Sequence, residues 1–142
     1  MKALSILQPW AWLILRPDVT DPVARDALRA GGLIKPVENR RWATRFRGPL
    51  LIHAGKKWGR EQREDLAFVR ARFPEIELPE VFDLGGLVGS ATVVDCVSDM
   101  DSPWFFGPFG FVLANQTALP RMIPYKGALG FFEVPDSMLQ VA

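Results

Sequence analysis

Lys35-x-x-Glu38-x-Arg40 places an ammonium, a carboxylate and a guanidinium within six residues. A lysine beside a glutamate in a cleft can position and deprotonate a water, or hold a planar base by paired hydrogen bonds. In an extended segment side chains alternate, so Glu38 and Arg40 share a face and Lys35 points from the other. Pro36 can twist the start of the segment and bring Lys35 round. The same spacing also describes a cross-face ion pair on a surface strand, which would carry almost no energy. His53, in the apolar run "PLLIHA", is the only histidine. It is either a core residue bonded to backbone or a pocket-lining donor to a phosphate or base. Six aromatics form the third constellation: Trp10, Trp42, Trp58, Trp104, Phe105 and Phe106. Those beside cations, in "RRW" and "KKW", can stack a nucleobase while the cations hold phosphate or sugar. Trp42 and Trp104 are the candidates for a stacking wall, Trp104 because it follows Ser102-Pro103 in a loop. Trp10 and Trp12 read as core.

The charge distribution suits that chemistry. Between Lys35 and Arg63 nine basic residues stand against two acids, so this segment carries +7 and the rest −6, for a net +1. A near-neutral protein with one basic zone points to a local anionic partner, or to a solvated face balanced by acids elsewhere. One cysteine, Cys96, and one histidine exclude an internal disulfide and a Cys/His zinc site. Cys96 lies in an apolar strand and reads as inert. The chain contains no glycine-rich phosphate cradle, no Gly-x-Ser-x-Gly elbow and no His-Glu-x-x-His motif. No cofactor is expected. The opening run "ALSILQPWAWLIL" is too short to span a bilayer and is broken by Gln8-Pro9, so no membrane association and a cytoplasmic location are expected.

The elements that must position these groups follow from periodicity and punctuation. At 142 residues, 49% hydrophobic and 23% charged, the chain reads as one domain, residues 1–142, able to bury a core unaided. "KALSI" predicts a strand, and Pro9 suits the first turn of a helix through "WAWLIL". Asp21 is the expected N-cap of a polar helix, "DPVARDALRAG", stopped at Gly31-Gly32. "KPVENRRW" reads as extended and "PLLIHA" as a buried strand. "REQREDLAFVRARF" has Leu66, Val69 and Phe73 at helical spacing. "GGLVGSATVVDCV" predicts a long strand with glycine-marked bends, and the last third two or three further strands. Strands separated by single helices, with a strand-rich second half, indicate an α+β fold built on a small barrel.

In order and content, "ALSILQPWAWLI", "GLIKPVENRRWATRFRGPLLIHAGKK", "GGLVGSATVVDCV", "GPFGFVL" and "PYKGALGFFEV" resemble the ASCH domain nearly end to end. Residues 16–31 look like a variable insertion. The resemblance implies a small PUA-like β-barrel with flanking helices. It also implies a cleft for a nucleoside, a nucleotide or RNA, with roles for Gly32, Lys35, Glu38 and Arg40. Small bacterial members are amidohydrolases that remove the acyl group of N4-acetylcytidine. They use a lysine, a threonine three residues later and a distant glutamate. Lys35 matches the lysine, Glu38 stands at the threonine position, and Asp99 and Asp101 are the nearest acids to the third.

Three readings follow. In the first, an amidohydrolase acts on N4-acylated cytosine nucleosides: Lys35 and Glu38 are catalytic, Arg40, Trp42, His53 and Trp104 bind substrate, and no metal takes part. In the second, the chain is a non-catalytic reader of RNA or of a modified base, which the basic zone favours. In the third it is a protein-interaction domain.

Overall fold

The computed structural model describes residues 1–141. The chain opens with strand β1 (Lys2–Ile6) and the short helix α1 (Trp10–Leu15), which ends where Arg16 turns left-handed at φ 45°. Helix α2 (Pro22–Ala30) follows, with the Asp21 carboxylate accepting from the Ala24 amide at 2.9 Å, as the sequence predicts. Next come β2 (Val37–Arg40), β3 (Gly48–Ala54) and α3 (Arg60–Arg72), whose buried face carries Gln62, Leu66 and Val69. The second half holds β4 (Gly86–Val97), β5 (Phe109–Pro124), β6 (Phe131–Glu133) and a 3-10 turn over Asp136–Val141.

All six strands form one sheet in the order β2-β5-β4-β3-β1-β6. Only β1 and β3 run parallel; the other pairs are antiparallel. The sheet curls into a half-barrel, and the curl is visible in contacts between its two ends. Trp42, just past edge strand β2, meets Phe131 of the opposite edge strand β6 edge-on at 5.3 Å. The Arg40 guanidinium of β2 donates to the Ser5 carbonyl of β1 at 2.6 Å. The result is an α+β fold consistent with a small PUA-like barrel.

Inside the curl, Leu4, Ile6, Ile14, Leu15, Leu50, Ile52 and Phe111 form the main core. A second cluster, Leu13, Val37, Val69, Phe73 and Trp104, packs α3 and the loop before β5 against α1 and β2. Gly89 lets α1 sit directly on β4, since a side chain there would come within 2.7 Å of Leu15 and 2.4 Å of the Thr117 carbonyl.

The last third holds two strands, the long β5 and the short β6, within the two or three that the sequence predicts. Pro120 fails to break β5 because it falls in a bulge. Ala118 pairs with Gly89 and Ile123 with Leu87, so the residues between them need no regular ladder donors. The extended reading of "KPVENRRW" holds only for Val37–Arg40.

Candidate functional site

The Lys35–Glu38–Arg40 constellation is assembled by a change of backbone at Pro36. Lys35 lies outside β2, its amide donating to the Leu13 carbonyl at the end of α1. Its side chain can therefore turn toward the face that Glu38 and Arg40 share. Its Nζ stands 3.6 Å from Glu38 Oε1, while Glu38 Oε2 lies 3.0 Å from Arg40 Nε. The result is a cation–anion–cation chain. The Lys35 Nζ also donates to the Val37 carbonyl and lies 5.5 Å from the centre of the Trp10 ring.

Burial makes this chain unusual. Lys35 is 1% exposed and Glu38 7%. Burial pushes the Lys35 ammonium below its ordinary pKa; the Glu38 carboxylate pulls it back up and Arg40 adds a smaller downward push. A lone ammonium in such a place would cost several kcal/mol, on the order of the desolvation of an ion, so Glu38 is what permits its charge. The Arg40 Nε–H reaches ion-pair distance but makes no aligned hydrogen bond, and it is buried. It remains a donor with capacity to spare.

The chain opens into a cleft of about 330 Å³ lined by Ser5, Trp10, Glu38, Arg40, Asp65 and Phe106 among others. That volume lies at the lower end of the range for small-molecule sites. Its aromatic wall is Trp10 with Phe106, edge-on at 5.7 Å, and Phe106 is half exposed. Phe106 is held there by Asn39, whose side-chain oxygen accepts from the Phe106 and Gly107 amides while its amide donates to the Trp104 carbonyl. Across the cleft, α3 contributes Asp65, which accepts from the Trp10 indole at 3.2 Å. Burial raises the Asp65 pKa above the ordinary carboxylate value; the indole hydrogen bond opposes this, and Glu61 and Glu64 add to it.

The structure thus brings Lys35, Glu38 and Arg40 together and places the other expected residues elsewhere. Trp104 is 1% exposed, stacked flat on Phe73 at 3.9 Å, with its indole donating to the Gly32 carbonyl. With one face on Phe73 and almost none of its surface exposed, Trp104 is a packing residue and not a wall of this cleft. Trp42, 37% exposed, packs edge-on against Phe111 and Phe131 at the barrel seam, outside the cleft. His53 lies 2% exposed beside a second cavity. Gly32 and Asp101 line a third, which the Lys35 side chain does not reach. Trp10, Asp65 and Phe106 occupy the cleft instead. Trp10 was legible as aromatic but reads as core because of its apolar neighbours. Asp65 gives no signal, being one of several acids on a polar helix. Among the described residues no three His, Cys, Asp or Glu side chains gather to hold a metal. Nor is any helix long and apolar enough to cross a membrane.

No family model matches the chain. Two curated proteins do: Activating signal cointegrator 1 of Homo sapiens is 30% identical over 135 residues, and that of Mus musculus 29% over 135. The alignment covers 87% of this chain but only 20% of either relative, so the chain spans about a fifth of their length. With the motifs quoted above, this likeness supports an ASCH, PUA-like family at the coarse level.

Proposed function

We propose that this chain, as a single ASCH-type domain working in the cytoplasm, binds a nucleoside or nucleotide at the Lys35–Glu38–Arg40 cleft and hydrolyses the amide of N4-acylated cytosine nucleosides. The observation that carries the reading is the buried ionic chain itself. Three charged groups, two of them almost fully buried, open into a cavity with an aromatic wall, an arrangement whose desolvation cost packing alone does not explain. Such a cleft matches an acylated base. Trp10 and Phe106 offer ring surface. Glu38 has lone pairs left after its cation contacts, which can accept from the exocyclic N–H. Lys35 and the buried Arg40 Nε–H are donors for the acyl oxygen as it gains negative charge.

A second reading, a non-catalytic reader of RNA or of a modified base, is favoured by one observation. Arg41, Arg45, Lys56, Lys57 and Arg63 are exposed and make no ion pair with the described residues. That is more free cation than a nucleoside needs.

The deciding experiment is a chromatographic assay of N4-acetylcytidine and N4-benzoylcytidine with the wild type, Lys35→Ala and Glu38→Ala. Deacylation by the wild type, reduced at least about a hundredfold in both variants, is the expected result. Intact substrate under single-turnover conditions removes the hydrolase reading and leaves the binding one.

A further inference from the structure

Glu38 is a poor sole engine for amide cleavage, since both its oxygens already face cations. Ser5, which lines the same cleft, belongs to a second group of reactive side chains. Ser5 on β1 and His53 on β3 are register partners in the parallel ladder, so their side chains leave the sheet on one face. His53 Nε2 lies 2.6 Å from the Tyr125 carbonyl oxygen. A carbonyl can only accept, so Nε2 carries a proton, and in the neutral tautomer that this contact selects the lone pair is at Nδ1. That lone pair faces the Ser5 hydroxyl, which donates to it at 2.9 Å.

The ring is locked in this orientation. Phe132 packs edge-on against it at 5.8 Å, and Gly127 lies so close that a methyl there would come within 2.7 Å of His53 Cε1 and 3.3 Å of Ser5 Oγ. A hydroxyl, a base accepting its proton and a third group fixing the base's tautomer are the parts of an activated nucleophile. Here a backbone carbonyl takes the place of the usual carboxylate. The pair borders a cavity of about 640 Å³, also lined by Lys56 and Lys126, and Ser5 alone lines both this cavity and the Lys35–Glu38 cleft.

We propose that Ser5 and His53 are the nucleophile and general base of an acyl-transfer site in this chain. The inference rests on the hydrolase reading for its substrate, and on the dyad geometry for its chemistry. Ser5 Oγ attacks the amide carbonyl carbon, forming a C–O bond, and its proton passes to His53 Nδ1. The tetrahedral oxyanion faces the cations of the two cavities. As the C–N bond breaks, His53 returns the proton to the departing amine and leaves an acyl-serine. Water then adds to the ester carbonyl, its proton goes to His53, and cleavage of the ester C–O bond frees the acid while Ser5 Oγ regains its proton.

The test uses the full chain and an alkyl fluorophosphonate, read by intact mass and peptide mapping. Attack by Ser5 would displace fluoride and leave one phosphonyl group on Ser5. Expected are stoichiometric labelling of the wild type at Ser5, none of Ser5→Ala, and labelling of His53→Gln slowed at least about a hundredfold. Circular dichroism establishes that both variants are folded, and a Ser5→Cys variant, which should be alkylated faster than Cys96 by iodoacetamide, probes the same position should Ser5→Ala misfold. No label at Ser5, or equal labelling of wild type and His53→Gln, overturns the dyad. Labelled Ser5 with untouched N4-acylcytidines upholds the dyad and refutes the substrate. Deacylation that survives Ser5→Ala does the reverse.

Discussion

Replacing Glu38 with leucine isolates the energetics of the buried ionic chain. Lys35 is only 1% exposed, whereas the Arg40 side chain, 23% exposed, can reach solvent. At 3.6 Å and an effective dielectric near 20, the lost attraction between Lys35 and Glu38 is about 5 kcal/mol before desolvation is counted. Leucine keeps the volume of Glu38, so the variant strands an ammonium without opening a hole. A buried pair broken on one side costs about 3–5 kcal/mol, of which the Val37 carbonyl, still accepting from Nζ, recovers part. We expect a loss of about 3 kcal/mol at pH 7, a fall in Tm on the order of 10 °C for a chain of this size. The loss must shrink with pH. Burial already holds the Lys35 pKa below 10.5, and removing the carboxylate takes away the largest cause raising it. Between the folded and unfolded pKa values the unfolded chain binds more protons than the folded one. Stability therefore rises as pH climbs through the folded value, with a gain that levels off near 10.5. Urea unfolding at pH 7, 8, 9 and 10 reads this directly. A double variant, Lys35→Met with Glu38→Leu, should recover most of the loss at pH 7. A deficit of Glu38→Leu below about 1 kcal/mol, or one equal at pH 7 and pH 10, would refute the reasoning.

Trp104→Ala should cost about 3–5 kcal/mol in urea unfolding through the lost stack on Phe73 and the cavity left behind, while Trp104→Phe, once folded, should bind ligand as the wild type does. Asp65→Asn tests the raised carboxyl. In the wild type the folded state binds the extra proton above the ordinary value of 3.8, so Asp65 adds stability as pH falls through its folded pKa, down to about 3.8. The Asn variant should lose that increment, and an unchanged stability profile between pH 6 and pH 4 would count against it. For the reader hypothesis, affinity for a short single-stranded RNA should fall steeply between 50 and 200 mM salt, with a log–log slope of about −3 if four to five of the free cations meet phosphates. A slope near zero in a fluorescence anisotropy titration would exclude phosphate-driven binding.

Much of the scaffold was written in local signals. Asp21 before Pro22 marks the start of α2, and Leu66, Val69 and Phe73 mark the buried face of α3 and the turn it ends in. The glycine-punctuated β4 reads as a bent strand and proves to be one, with register shifts at three points. Pro120 is tolerated inside β5 because it falls in the bulge opposite Leu87–Gly89, a context its own backbone preference does not reveal. The ionic half of the cleft is legible for a similar reason: Lys35, Glu38 and Arg40 are neighbours in sequence. Its other half comes from α1, α3 and the loop before β5. Nothing in the residues around Asp65 or Phe106 announces a meeting that only the packing of those elements creates. Trp104 illustrates the opposite error. A loop position suggests exposure, yet the flat stack on Phe73 and the bond to Gly32 make that loop part of the core.

The two edge strands of the half-barrel are not laddered to one another. What spans the gap is side-chain work: Trp42 against Phe131, and the Arg40 guanidinium on the Ser5 carbonyl. Arg40 is also the outer cation of the ionic chain. A single guanidinium therefore serves as both latch and ligand donor. A bound molecule that draws Arg40 inward loosens the latch, and one that fills the space beside it tightens the whole seam. In either case occupancy changes the elastic stiffness of the barrel, and amide exchange along β1 and β2, at the gap itself, is where that mechanical response would be read.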